Sequence, residues 1–139
     1  METETSAYGV VTKTAAGSVA EVTERFRGLL EAKDVTVFAV IDQAAAAQTA
    51  GLSLRDTVLI IFGNPAAGTP AMAAAPLAGL DLPLKVLIWD DAGDTRVSYY
   101  SPETIADRFN LDPTTAAGLS AVNALTDALT GGTSCPPGR

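Results

Sequence analysis

Three charged residues stand at the ends of predicted strands, where a sheet could gather them around one pocket. They are Asp42, Asp81 and Lys85. A carboxylate in a pocket of low dielectric can act as a general base, and a nearby ammonium can stabilise negative charge or anchor a substrate. The structural alternative is that Asp42 caps a helix, Asp81 occupies a turn and Lys85 is solvated or in an ordinary ion pair. We favour this alternative, and catalysis is the second hypothesis.

A second candidate site is the glycine-containing segment of residues 63–69. Thr69 has the position of a helix N-cap, followed by Pro70 as the first helical residue of a brief Ala-rich turn. Free backbone N–H groups next to such a cap can bind an anion, with Lys85 as the matching cation. The structural interpretation, which we favour, is that Asn64 begins a tight turn and Gly68 supplies a positive φ. The predicted ligand-binding set is Asn64, Gly68, Thr69, Lys85 and Tyr99, the last as a hydrogen-bond donor from its strand.

The residue types that are absent exclude much of enzyme chemistry. The chain has no His and one Cys, Cys135, so His-dependent triads, His-ligated metals and internal disulfides are excluded. The acidic hairpin tip that contains Asp90, Asp91 and Asp94 lacks the further oxygen ligands of a calcium loop. We therefore predict no metal site and no cofactor.

Charge and hydropathy limit the partners. The 139 residues include 9 Lys or Arg and 16 Asp or Glu, a formal charge of −7, and the few cations form no cluster. Such a chain repels nucleic-acid phosphates and anionic membranes. The longest apolar runs, residues 35–41 and 58–62, fall far short of the roughly 20 residues of a membrane helix, and the N-terminus does not look like a secretory signal. The expectation is a cytoplasmic protein that binds neither nucleic acid nor membranes.

Short sequence motifs indicate the order of the helices and strands that would position these residues. Ser18 and Glu21 have capping-box spacing before an amphipathic helix, and Ser101-Pro102 and Asp112-Pro113 each combine an N-cap with a first-position proline. The predicted strands are residues 8–13, 35–41, 57–62, 84–90 and 95–100, and the predicted helices include 102–109, 113–130 and a short Ala-rich helix capped by Asp42 and ended by Gly51.

This order predicts a single α+β domain over residues 1–130, followed by a disordered tail over 131–139. The sheet is antiparallel, with about five strands and with helices packed on one face. Leu59, Ile60, Ile61 and Phe62 are consecutive, so apolar side chains point to both faces of the sheet. Short helices or a second copy of the chain could cover the second face, and we favour a homodimer.

Two motifs carry a family resemblance. The segment Phe-Gly-Asn-Pro-Ala-Ala-Gly-Thr at 62–69, with 79–85 and 86–89, resembles the domain-of-unknown-function family 302. The resemblance covers roughly residues 7–111 and also takes in Ile41-Asp42, Gly51-Leu52, Tyr99 with Ser101-Pro102, and Ala106-Asp107-Arg108.

The resemblance implies a TATA-box-binding-protein-like α+β fold of β-α-β4-α type that is often dimeric, with the final helix as an addition. It does not imply DNA binding. The chain departs from the family pattern at Gln43 and Phe109, where His is common, so chemistry that uses those imidazoles is not implied.

The preferred interpretation is a homodimeric domain without catalysis that binds a small ligand, with an anion as one option. One alternative is an enzyme that uses Asp42 or Asp81 as general base with Lys85 as electrostatic stabiliser. The other is a purely structural or interaction module, in which the family motif encodes turns and a dimer seam.

Overall fold

The computed structural model describes residues 3–6 and 8–131. These residues form one six-stranded sheet and a set of helices. In chain order the elements are β1 (Thr3–Thr5), β2 (Val10–Ala15), α1 (Val19–Ala32), β3 (Thr36–Asp42), α2 (Gln43–Thr49), β4 (Thr57–Gly63), α3 (Pro65–Ala74), a 3₁₀ turn (Pro76–Leu80), β5 (Leu84–Asp91), β6 (Asp94–Tyr100), α4 (Pro102–Phe109), α5 (Pro113–Ala117) and α6 (Ala121–Leu129).

The sheet is antiparallel throughout, with spatial order β1-β2-β6-β5-β4-β3. This confirms the α+β prediction and the order strand, helix, four strands, helix. The three-residue β1 was not predicted. β5 and β6 form the expected hairpin through Ala92 and Gly93, whose φ angles of 52° and 103° are both positive, as a type I′ turn requires.

One face of the sheet packs against α1 and α6. Phe26 of α1 meets Phe62 of β4 edge to face, with ring centroids 5.3 Å apart and both side chains fully buried. Such a pair adds a directional contact to the burial of two large apolar side chains. Val58, Ile60, Val86, Ile88, Val97 and Tyr99 point to the same side and complete the core there.

The apolar side chains of the opposite face, called the open face below, are not fully buried. The strand register places Leu59, Ile61, Lys85, Leu87, Trp89 and Ser98 on it. The indole Nε1 of Trp89 donates a hydrogen bond to Ser98 Oγ over 2.9 Å, which confirms that these two side chains share a face. Leu59, Ile61, Leu87 and Trp89 are only partly buried.

The predicted helix starts are confirmed at four positions. Ser18 and Glu21 make a reciprocal capping box, and Asp42, Ser101 and Asp112 each accept a backbone N–H of the first turn. Hydrogen bonding by the backbone and side chain of Thr115 lowers the pKa of Asp112 from its ordinary value. Local sequence chemistry is therefore sufficient to begin these helices.

The prediction for residues 63–69 is wrong in its local structure. The helix begins five residues earlier than expected, with Asn64 as N-cap and Pro65 as first residue, so Gly68 and Thr69 lie inside α3. Asn64-Pro65 is the same cap-plus-proline signal that Thr69-Pro70 carries, and it comes first in the chain. Gly68 does not have the positive φ of the structural interpretation.

The predicted helix over 113–130 is also wrong, because it is two helices separated by residues 118–120. Gly118 lies against α3, and a Cβ added there would stand 3.3 Å from the Ala67 carbonyl oxygen. The break lets α5 contact α3 while α6 packs on α1. The tail predicted as disordered lies, beyond Gly131, outside the described residues.

Candidate functional site

A gap opens between two neighbouring strands of the sheet. β5 and β6 are paired from the hairpin turn only as far as Leu87 and Ser98. Both strands nevertheless continue, β5 back to Leu84 and β6 on to Tyr100. There β5 pairs only with β4 and β6 only with β2. The divergence creates a slot through the sheet.

The slot holds a cavity of about 310 Å³. Lys85, Leu87 and Ser98 line it from the open face, whereas Val122 of α6 and Ile105 of α4 line it from the helix side. Its lining is mostly apolar. Ligand pockets commonly begin at about 300 Å³, and an apolar cavity of about 150 Å³ holds benzene, so this slot has room for a small organic molecule.

Lys85 supplies the charge at the wall of the slot. Its Nζ donates to the backbone carbonyl oxygens of Asp81 and Pro83, each over 3.1 Å. An ammonium has three N–H donors, and in the described part of the chain the third has no protein acceptor within hydrogen-bond distance. Burial lowers the pKa of Lys85, while the charge of Asp81 opposes this shift. The group is thus a fixed, partly desolvated cation.

Arg108 occupies the rim of the same region. Its guanidinium pairs with the Asp81 carboxylate and lies over the ring of Tyr100, 5.1 Å from the centroid. Asp81 therefore contacts Arg108 through its carboxylate and Lys85 through its carbonyl oxygen. With two cations and one carboxylate, this corner carries a net positive charge on an acidic protein.

The predicted binding residues separate into two places. Lys85 and Tyr99 line the slot, whereas Asn64, Gly68 and Thr69 line a second, smaller cavity of about 140 Å³. Leu82, Met72 and Phe38 make much of the second cavity's wall.

The start of α3 has few donors to offer an anion. The N–H of Ala66 donates to the Asn64 side chain, and those of Ala67 and Gly68 donate to the Asn64 carbonyl oxygen. Pro65 has no N–H. The backbone anion site expected at 63–69 therefore lacks uncommitted donors in the first turn of α3.

Asp42 lies apart from the slot. It pairs with Val58 on β4, which in turn pairs with Ile88, so it is two strands across and three residues along from Lys85. That offset corresponds to about 14 Å between the Cα atoms of Asp42 and Lys85. Its carboxylate accepts the Ala45 N–H over 2.9 Å. Asp42 thus has the capping role that the structural alternative predicted.

Tyr99 is committed to the core. Its hydroxyl donates to Asn123 Oδ1 over 3.0 Å, and the Lys13 ammonium lies 5.2 Å from its ring centroid. It contributes its flank to the slot but has already used its donor. The sequence-based interpretation did not single out Leu84, Tyr100 or Arg108, although Arg108 lies in the resembling segment Ala106-Asp107-Arg108.

No group of three or more His, Cys, Asp or Glu side chains that could hold a metal ion occurs within residues 3–6 and 8–131. The helices of these residues include none long and apolar enough to span a membrane.

The fold and the slot define an α+β domain with a cavity of ligand size between two strands of its sheet. The chain belongs to the family described as domain of unknown function DUF302, whose model matches residues 11–129. A crystal structure of an uncharacterised conserved DUF302 protein from Bacillus stearothermophilus is similar to it with a TM-score of 0.75 and 20% identity, covering 89% of this chain and 97% of that one. This likeness shows the fold.

Curated relatives carry a different name. The chain is 39% identical over 124 residues to a protein of Brucella suis biovar 1 (strain 1330) named fluoride-specific ion channel FluC 1, covering 88% of this chain and 46% of that protein. The protein of the same name from Brucella abortus biovar 1 (strain 9-941) is also 39% identical over 124 residues, with 44% of its length covered. The chain thus spans less than half the length of these relatives.

Proposed function

We propose that the chain is a homodimeric binding domain for a small organic anion with an apolar body, and that it has no catalytic role. The observation that carries this proposal is the partly desolvated ammonium of Lys85 at the wall of a mostly apolar cavity of about 310 Å³, with one N–H that no described residue accepts. A charge removed from water is costly unless a partner compensates it. An incoming carboxylate would supply that partner, and its apolar body would displace water from the slot.

The slot also favours an organic anion over an inorganic one. A sulfate or phosphate ion gains little from apolar walls, and such ions are typically held by several donors. The slot offers one lysine donor and a large apolar surface instead. A carboxylate on a hydrocarbon or aromatic body matches both features.

Calorimetry with octanoate and benzoate tests the binding proposal. Charge-assisted hydrogen bonds contribute about 1.5–3 kcal/mol, so Lys85→Met should weaken binding by about 10- to 100-fold. Lys33→Met is the matched control, because Lys33 is an exposed lysine at the end of α1, away from the slot. Octylamine should not bind. No heat with either carboxylate, or equal affinity in the two variants, would overturn the proposal.

The dimer proposal rests on the open face. Ile41, Leu59, Ile61, Leu87 and Trp89 share this face and none of them is fully buried, and large accessible apolar surfaces mark association sites. An isologous contact between two open faces would cover it.

Two neighbouring residues on the edge strand give a matched test of the dimer. Ile41 and Val40 are 38% and 36% exposed, yet the register puts Ile41 beside Leu59 on the open face and Val40 beside the core residue Ile60. Light scattering should give a dimer for the wild type and for Val40→Asp, and a monomer for Ile41→Asp. A monomeric wild type, or two variants that behave alike, would contradict an interface on the open face.

The catalytic alternative receives less support. Asp42 is far from Lys85, and the Asp81 carboxylate is paired with Arg108. Asp81 lies near Lys85, but its ion pair with Arg108 stabilises the carboxylate and makes it a weaker base for taking a proton from a bound substrate.

The names of the Brucella relatives favour one second candidate, a domain that responds to fluoride. Fluorine NMR of sodium fluoride with the protein tests it directly, because bound fluoride would broaden or shift the signal. Fluoride binding that depends on Lys85 and excludes octanoate would favour this candidate over an organic anion.

A further inference from the structure

The side chain of Leu84 forms a wall that the slot shares with the smaller cavity beside α3. Leu84 lines the 310 Å³ slot and also the 140 Å³ cavity beside α3. It also packs against both apolar clusters of the core, the one under α1 and the one between α3 and α4. Of the residues that the structure describes, Leu84 alone lines both cavities.

The chemistry changes along the line that these cavities form. The Lys85 ammonium lies at the slot, immediately after Leu84 in β5 and on the opposite face of the strand. On the other side of Leu84, Phe38, Met72 and Leu82 offer an apolar end without a charged side chain. Met72 has a flexible thioether chain that adapts to the shape of its contacts. A cation, a slot, a leucine side chain and an apolar cavity thus follow one another in space. This arrangement is expected for a site that binds a chain-like amphipathic molecule.

We propose that the ligand is an unbranched aliphatic carboxylate and that Leu84 sets the chain length the site accepts. This inference rests on the proposed binding function and makes it specific. The carboxylate binds Lys85, the first methylenes fill the slot, and Leu84 closes the far end. The cavity beside α3 is the space that a longer chain would enter if the leucine were smaller.

The volumes support a limit of this kind. A cavity of about 150 Å³ accommodates benzene, so the space behind Leu84 is large enough for several methylene groups. Each buried methylene contributes about 0.8 kcal/mol, which is about a fourfold gain in affinity. Affinity should thus rise about fourfold per methylene and stop rising at one chain length.

A series of carboxylates from butanoate to decanoate, titrated by calorimetry below their micelle concentrations, tests this. In the wild type the affinity should rise with chain length and then level off at one length, which is the levelling point, or chain-length limit, of the site. In Leu84→Ala the rise should continue to longer chains, because the two cavities join. Leu29→Ala is the matched control, because Leu29 is likewise partly buried against the core but lines neither cavity, and its chain-length limit should stay that of the wild type.

A second variant reverses the effect. Met72 lines only the cavity beside α3 and is 37% exposed, so Met72→Phe narrows that cavity with little cost to the core. Adding it to Leu84→Ala should move the chain-length limit back toward that of the wild type. If Leu84→Ala fails to fold by circular dichroism, Leu84→Val decides the question with a smaller shift in the same direction.

The outcomes separate the two proposals. Absence of binding by every carboxylate in the wild type overturns the binding function and this inference with it. Binding that depends on Lys85, but levels off at the same chain length in wild type, Leu84→Ala and Leu84→Val, overturns only the role of Leu84. Affinity that rises through decanoate in the wild type also overturns it.

Discussion

The ammonium of Lys13 on β2 lies 2.7 Å from the carboxylate of Asp127 on α6. The lysine side chain is 6% exposed and the aspartate side chain 39%. Lys13 also donates to Thr126 Oγ1 over 2.7 Å and to the Asn123 carbonyl oxygen over 3.3 Å, so all three of its donors are used. A charged residue in the middle of a β-strand thereby fastens the last helix to the sheet.

This asymmetry of burial predicts unequal effects of two substitutions. Asp127→Ala leaves a buried ammonium without its counter-charge and should lower the free energy of unfolding by about 1–3 kcal/mol. Lys13→Met removes the buried charge and leaves an aspartate that water can reach, so its loss should be smaller. Urea unfolding measures both. Glu24→Ala, which breaks an exposed pair with Arg27, should leave stability unchanged, and a larger loss for Lys13→Met than for Asp127→Ala would contradict the argument.

Gly9 and Gly51 provide a second matched pair. Their φ angles are +78° and +79°, but a Cβ on Gly51 meets nothing within 4 Å, whereas one on Gly9 would lie 3.0 Å from the Thr104 Cβ and closer still to its other side-chain atoms. Gly51→Ala should cost about 1–2 kcal/mol for the left-handed backbone alone. Gly9→Ala should cost about 1–3 kcal/mol more, because Thr104 must move. Equal losses in thermal or urea unfolding would show that Thr104 yields freely.

Substitution of Asp81 tests whether the charges around Lys85 control anion binding in the slot. Its carboxylate shares the corner with Lys85 and repels an incoming anion, although Arg108 partly offsets it. Asp81→Asn should therefore strengthen carboxylate binding by several-fold, as titration calorimetry would show. Arg108→Ala should weaken binding, because it leaves the Asp81 charge uncompensated beside Lys85. Weaker or unchanged carboxylate binding in Asp81→Asn would contradict this electrostatic argument.

The elements that could be predicted from the sequence depend on signals a few residues long. Ser18 with Glu21, Ser101 with Pro102, and the Ala92-Gly93 turn each satisfy their own backbone locally, so their structures follow from their neighbours. The error at α3 has the same origin, since Asn64-Pro65 and Thr69-Pro70 are competing local signals and the position of the helix depends on its packing against Gly118.

The slot could not be predicted in this way. It exists because β5 and β6 separate beyond Leu87 and Ser98, and that separation depends on how each strand pairs with its outer neighbour. Arg108 reaches Asp81 across 27 residues of sequence, and no periodicity or cap indicates that contact. The sequence groups Lys85 with Asp81, which it contacts through the Asp81 carbonyl oxygen, and also with Asn64, Gly68 and Thr69, which line the other cavity.

The lowered pKa of Lys85 predicts how stability and binding change with pH. Between that lowered value and the ordinary lysine value the unfolded chain binds the proton that the folded chain has released. Stability therefore rises with pH across this window, relative to a variant without the amine. Urea unfolding at a series of alkaline pH values should show the free energy of unfolding of the wild type rising relative to that of Lys85→Met. The free energy of unfolding of Lys33→Met should change with pH as that of the wild type does.

Carboxylate affinity should change in the opposite direction over the same range. The neutral amine no longer attracts an anion, so affinity should be constant below the lowered pKa and fall about tenfold per pH unit above it, because only the protonated fraction binds. Calorimetric titration of octanoate across these pH values measures the fall. If the affinity begins to fall at the pH where stability begins to rise, one group, Lys85, is the source of both effects. An affinity that does not vary with pH would show that the Lys85 ammonium is not part of the binding site.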